Sequence, residues 1–278
     1  MLASVVVLAG IGVAAVVLMR DDALPTSPTP ISRVDTQDVH SLAFLGSPDR
    51  IVLGHHGGIL ESTDGGGTWT PWGTGADAMA MGVAGEEPIV VAGHNVLAVG
   101  RRDGRWEDIP NDLPNTDIHG FARDPSNPSQ MWAYLAAGGL YQSSDGGLHW
   151  EQVFSGHAFG LFAVARDSAT RLVAVDPERG AIVASDDGGR TWEALSSPPS
   201  TPVYAMTGTG TTILYSGSDG LFRSDDGGRM FRPLVHVGQP ILAVAITEDR
   251  QVIVIATRDR SIYRSEDGGQ TWTASRSD

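Results

Sequence analysis

Apolar residues in this chain come in short runs rather than helical stripes. After residue 35 no segment keeps a 3.6-residue apolar period. What recurs is a unit of about forty residues with a fixed internal order. A first apolar run (residues 40–44, 79–83, 118–122, 161–165, 203–206 and 241–246) is followed, after a polar turn, by a second such as 50–53, 88–92 or 252–256. A third run, such as 59–62 or 261–265, leads into an Asp-Gly turn, and an aromatic residue then opens a fourth. The runs favour β-branched and aromatic residues and are bounded by Gly, Pro, Asp and Ser, which is how strands read.

The turn before the fourth run carries a motif, Ser-x-Asp-x-Gly with an aromatic residue three positions after the last glycine. Its five copies are Ser62/Asp64/Gly66/Trp69, Ser143/Asp145/Gly147/Trp150, Ser185/Asp187/Gly189/Trp192, Ser224/Asp226/Gly228/Phe231 and Ser265/Asp267/Gly269/Trp272. Their aspartates step by 81, 42, 39 and 41 residues. A worn copy around Asp103, Gly104 and Trp106 splits the long first step into 39 and 42. Six repeats of four antiparallel strands predict an all-β fold, a six-bladed β-propeller over residues 38–278. Residues 272–274 supply a fourth strand for the last blade, with a strand borrowed from residues 31–36 as the alternative way of closing the ring.

The motif resembles the Asp-box, or BNR repeat, of sialidases and their relatives, over about residues 36–278. The resemblance implies that Asp64, Asp145, Asp187, Asp226 and Asp267 are structural, in loops on the face away from any ligand. The Gly-Gly pairs supply positive φ, and the carboxylates accept loop amides. The repeats also look similar to those of bacterial proteins labelled BNR-repeat glycosyl hydrolases, of photosystem-assembly propellers and of sortilin-type receptors. A typical sialidase is not expected, because the Arg-Ile-Pro motif before the first box is missing and none of the 5 tyrosines falls beside a glutamate on the ligand face.

Composition narrows the chemistry. There is no cysteine, which excludes disulfides and thiolate catalysis. All 19 basic residues are arginine, which excludes a lysine Schiff base. A net charge of −14 argues against a nucleic-acid partner. Residues 2–19 are almost wholly apolar. As a helix they would reach about 27 Å, near a bilayer core. Residues 1–20 therefore read as a membrane anchor or, alternatively, as the signal of a secreted protein. Residues 21–37, rich in Pro and Thr, read as a semi-rigid linker. Either way the propeller is expected outside the cytoplasm.

In a propeller the loops entering strand one and joining strands two and three share one face, at the mouth of the central channel. Histidines gather in these loops: His40, His119 and His157 at strand one, and His55, His56 and His94 after strand two. Asp77, Asp117 and Asp219 lie in matching loops, with Asp176, Glu178, Arg258 and Asp259. Imidazoles among carboxylates suit three things: a transition metal such as zinc or copper (at His40, His55, His94, His119 and His157), recognition of a glycan or protein ligand, or acid–base chemistry. His149, inside an Asp-box at the threonine position, reads as structural.

The reading that follows is a membrane-tethered binding or assembly module with a His-rich ligand site at the top of the channel. The alternative is a glycoside hydrolase other than a sialidase, with Asp77, Asp117 and Asp219 as its candidate carboxylates.

Overall fold

A computed structural model describes residues 28–272, apart from 74, 76, 86–88, 102 and 167–168. The apolar segment at residues 2–19, residues 21–27 of the Pro/Thr-rich stretch and residues 273–278 lie outside the described residues. No helix among the described residues is long and apolar enough to cross a membrane.

The strands form six four-stranded antiparallel sheets, five of them in sequence order. Blade one holds Ser41–Phe44, Ile51–His55, Gly58–Ser62 and Thr70–Pro71. Blade two holds Ala80–Gly82, Ile89–Gly93, Val96–Gly100 and Trp106–Asp108. Blade three holds Ile118–Arg123, Met131–Leu135, Gly139–Ser143 and Glu151–Phe154. Blade four holds Phe159–Arg166, Ala169–Asp176, Ala181–Ser185 and Glu193–Ser196. Blade five holds Ala205–Thr209, Thr212–Gly217, Gly220–Ser224 and Arg232–Val235. Blade six builds on Ile241–Ile246, Ile253–Thr257 and Ser261–Ser265.

The fourth strand of blade six comes from the other end of the chain. Ser32–Arg33 pairs antiparallel with Ser261–Ser265, Ser32 opposite Ile262. Flanking bonds from Ile31 N–H to the Ile262 carbonyl (2.8 Å) and from Val34 N–H to the Arg260 carbonyl (3.0 Å) extend the pairing. Within the described residues the borrowed strand closes the ring, and the sheet takes in residues upstream of position 38; residues 273 and 274 of the other reading lie outside the described residues. The physical reason is burial. Val34 is 3% exposed and joins a core made by blades one and six, against which Ile31 also packs.

Each of the six buried apolar clusters spans two neighbouring blades. Val52 and Ile89 join blades one and two; Leu214 and Ile255 join five and six. A blade alone cannot hide both faces of its sheet, so the second strands read as nearly continuous apolar runs. Met131–Leu135 and Ile253–Thr257 are buried at every position. The outermost strands, such as Glu151–Phe154, are half exposed and more polar.

All five Asp-boxes share the bonds from the Ser hydroxyl to the Asp, from the second Gly amide to the Ser, and from the amide four residues on to the Asp. Blade five, with Met230 and Phe231, lacks the side-chain bonds that blade four adds. In blade four Ser185 Oγ donates to Asp187 Oδ1 (2.8 Å) and accepts the Gly189 amide (2.8 Å). Asp187 also accepts the Thr191 amide (2.9 Å) and hydroxyl (2.6 Å), and Trp192 Nε1 donates back to the Gly189 carbonyl (2.9 Å). Gly188 and Gly189 have φ of 76° and 91°, in the region that disfavours side chains. Blade two differs. There Trp106 follows Asp103 by three residues and the turn is a tight hairpin, with Gly104 N–H donating to the Arg101 carbonyl (2.9 Å). Arginines tie blades together at this end: Arg264 donates to the Pro48 carbonyl of blade one (2.8 Å), and Arg223 to that of Gly268 in blade six (2.9 Å).

Candidate functional site

The inner strands surround a central cavity of about 780 Å³. Its mouth has two unlike walls. Blades one to three contribute Asp38, His40, His56 and His119; blades four and five contribute Phe159, Pro177, Pro198, Pro202, Val203 and Tyr204. Phe159 is 38% exposed and stacks on His157 with ring centroids 5.7 Å apart. Arg258 of blade six lies over the Tyr204 ring at 5.8 Å.

The polar wall is a continuous arc. Asp38 and His40 approach strand one of blade one, and residues i and i+2 of an extended chain share a face. His56, in the hairpin after strand two, meets both. Its Nδ1 contacts Asp38 Oδ2 and lies 3.0 Å from His40 Nε2, while its amide donates to Asp38 Oδ1 (3.0 Å). Asp77, in the loop entering blade two, is next: its Oδ1 is 3.8 Å from His40 Nε2 and its Oδ2 is 3.9 Å from His56 Nε2. His94 follows strand two of blade two and bridges Asp77 Oδ2 (2.5 Å) to Asp117 Oδ1 (3.6 Å). His119 closes the arc, with Nε2 3.1 Å from Asp117 Oδ1 and its ring edge-on to His94 at 5.2 Å.

Two glycines make this close approach feasible. A Cβ on Gly54 would stand 2.3 Å from the Ala78 carbonyl, and one on Gly93 would stand 2.3 Å from the Asp77 carbonyl. Only hydrogen at these positions lets the Asp77–Ala78 segment lie between strand two of blade one and strand two of blade two. Ser41 Oγ then donates to the Ala78 carbonyl (3.0 Å) and fixes the segment.

Burial and neighbours tune the charges. Desolvation lowers the pKa of His40 and outweighs the pull of Asp38 and Asp77. Desolvation likewise lowers that of His55. The hydrogen bond to Asp38 raises that of His56. Burial works to raise the pKa of Asp38, but bonds from the His56 amide and ring outweigh it and the net shift is downward. Three overlapping sets of imidazole and carboxylate atoms along the arc have their members within 4.8 Å of one another: Asp38/His40/His56, His56/Asp77/His94 and His94/Asp117/His119.

The structure thus brings together His40, His56, Asp77, His94, Asp117 and His119. It sets three nominated residues apart. His55 turns into its own hairpin, where Nδ1 accepts the Gly57 amide (3.0 Å). His157 belongs to the opposite wall, with Nδ1 2.6 Å from the Tyr134 hydroxyl and Nε2 3.5 Å from Glu178. Asp219 lies in a serine-rich corner of blade five, its amide donating to Ser200 Oγ (3.1 Å). Asp38 was not among the nominated residues. The repeated Asp-x-His spacing at residues 38–40 and 117–119 was the signal for it, since alternate residues of a strand share a face. The aromatic and proline wall left no periodic trace.

Six four-stranded blades, five Asp-boxes and a mouth built from strand-one and strand-two loops define a BNR-type β-propeller. The chain belongs to the Photosynthesis system II assembly factor YCF48 family, whose model matches residues 30–277. Among solved structures it is similar to YCF48 from Cyanidioschyzon merolae, at 20% identity and a TM-score of 0.56, over 89% of this chain and 87% of that one. YCF48 bound to D1 peptide matches at 19% identity and a TM-score of 0.55, over 88% and 83% of the two chains. A GH74 xyloglucanase from Xanthomonas campestris matches at 20% identity and a TM-score of 0.59, over 88% of this chain and 46% of that one. At these identities the likeness is one of fold. In sequence, Dispase autolysis-inducing protein of Streptomyces mobaraensis is 28% identical over 143 residues, half of this chain and 37% of that protein. The chain therefore spans little more than a third of the length of that curated relative.

Proposed function

We propose that this propeller is a non-catalytic binding module that takes a polypeptide segment at the mouth of its channel and serves the assembly of a larger complex. The observation that carries this reading is the two-walled mouth: an imidazole–carboxylate arc faces an apolar wall that leaves Phe159 38% exposed. An extended peptide fits such a cleft, one set of side chains meeting each wall. Family membership supports the reading, as does the D1 peptide bound by a relative of the same fold. In this proposal residues 1–20 anchor the chain and residues 21–37 hold the propeller off the extracytoplasmic face of the membrane; a secreted form is the alternative.

The runner-up is a glycoside hydrolase, for which the fold of the GH74 xyloglucanase is the support. A hydrolase needs two carboxylates free to flank a glycosidic bond. Here Asp77 and Asp117 are both engaged by His94, and Asp117 also by His119, an arrangement that favours holding over cleaving.

One screen separates the two. The chain is offered a displayed random-peptide library and, in parallel, xyloglucan oligosaccharides. Enriched peptides whose binding falls at least about tenfold in Phe159→Ala and Tyr204→Ala, at unchanged melting temperature, support the module. Oligosaccharide binding with release of reducing ends, and no peptide enrichment, establishes the hydrolase.

A further inference from the structure

Asp38 Oδ2 and His40 Nε2 (3.0 Å) both face His56 Nδ1. That nitrogen carries at most one hydrogen, so it serves one neighbour and leaves the other without a partner. A further acceptor stands beside them. Asp77 Oδ1 is buried, has no hydrogen-bond partner, and belongs to a side chain only 10% exposed. A buried carboxylate oxygen left unpaired is unfavourable. Lone pairs outnumber protons at this point, which is the condition a cation relieves.

We propose that Asp38, His40 and His56, whose ligand atoms lie within 4.8 Å of one another, form a binding site for one divalent transition-metal ion, with Asp77, 3.8 Å from His40 Nε2, turning in as the fourth ligand. Two imidazoles and two carboxylates suit Zn²⁺, and the two carboxylates balance its charge. Tetrahedral ligands at about 2.0–2.2 Å from zinc stand roughly 3.3–3.6 Å from one another. The separations from His40 Nε2 bracket that value: 3.0 Å to His56 Nδ1, 3.7 Å to Asp38 Oδ1 and 3.8 Å to Asp77 Oδ1. The Asp38–His56 contact is the one that opens to admit the ion. His94 Nδ1, 2.5 Å from the other oxygen of Asp77, holds that carboxylate in place as outer partners of metal ligands do. The glycines at 54 and 93 bring the loop that bears Asp77 against blade one. The site stands on these distances alone and does not rest on peptide docking.

The test is titration of the untagged, full chain with Co²⁺, followed by visible absorption and calorimetry, with Zn²⁺ as competitor. The expected result is one Co²⁺ per chain, an intense tetrahedral spectrum, and displacement by Zn²⁺. His56→Ala and Asp77→Asn should each weaken Co²⁺ binding by at least about tenfold, while His157→Ala leaves it unchanged. Asp77→Asn keeps the shape of the side chain and decides the matter should His56→Ala fail to fold. The proposal is overturned by the lack of stoichiometric uptake of either metal, by a weak octahedral spectrum, or by uptake that Asp77→Asn leaves unaltered.

Discussion

Ser185 and Asp187 are bonded hydroxyl to carboxylate at 2.8 Å, and the same hydroxyl accepts the amide of Gly189. The pair is local, yet the loop it shapes sets Gly189 against Leu140 of the neighbouring blade, where an added Cβ would stand 2.5 Å away. Asp187→Ala removes the acceptor of the Arg190 and Thr191 amides. Chemical denaturation should show a loss of about 1–3 kcal/mol. Ligand binding at the opposite face should be unchanged; impaired binding at full stability would show that the box reaches the mouth.

The boxes also predict an acid limit. Bonds from the Thr191 hydroxyl and amide hold the Asp187 carboxyl down at about 2. Bonds from their own loops likewise hold Asp64, Asp145, Asp226 and Asp267 below the ordinary carboxylate value. A depressed folded pKa stabilises the protein above the unfolded value, about 3.9, and that contribution is lost as pH falls through the folded one. The urea midpoint should decline from pH 4 towards about 2, and Asp187→Asn should flatten part of that decline.

Blade three should respond to alkali instead. His149 occupies the threonine position of its box, with Nδ1 2.6 Å from Asp145 Oδ2, and that bond raises its pKa. Its contribution is full below the unfolded histidine value of about 6.5 and is lost as pH rises through the folded one. Nuclear magnetic resonance titration should place His149 above the ordinary histidine value, and His149→Thr should abolish the alkaline loss.

Gly54→Ala tests the packing beneath the arc. The new methyl would meet the Ala78 carbonyl at 2.3 Å and Ser41 Oγ at 2.4 Å. Overpacking of this kind costs about 1–3 kcal/mol. The same variant should displace the loop that bears Asp77 and weaken Co²⁺ binding; stability and metal affinity equal to the parent chain would contradict the geometry described.

Removing residues 1–34 should strip the outer strand from blade six together with Ile31 and Val34, which pack into the core shared by blades one and six. A loss of more than about 3 kcal/mol is expected, measured as a fall in the denaturation midpoint.

The blade count and the place of the boxes were legible because they depend on local grammar: an apolar run, a Gly-Gly turn, an aromatic residue, repeated at a steady interval. Ring closure by residues 31–36 could be read only as an alternative, because Ser32–Arg33 is too short to show alternation and its partner lies more than two hundred positions downstream. The arc was legible in part. His40, His56, His94 and His119 could be placed on one face by counting strands. Which way each ring turned could not, and His55, next to His56, points elsewhere because its Nδ1 caps its own hairpin. The worn repeat at Asp103 could be recognised because its Asp-Gly and Trp survive; the two residues it lacks change the loop into a hairpin.

The closing strand has a consequence for how the molecule is made. Arg33 donates to the carbonyl of Asp259, 226 positions away. The first strand of the propeller to be made waits for one of its last before it is paired. Until then the nascent chain carries an open sheet edge and an unfinished ring, and contacts of such long range are slow to form. Once made, they join the first strand of the ring to its last blade.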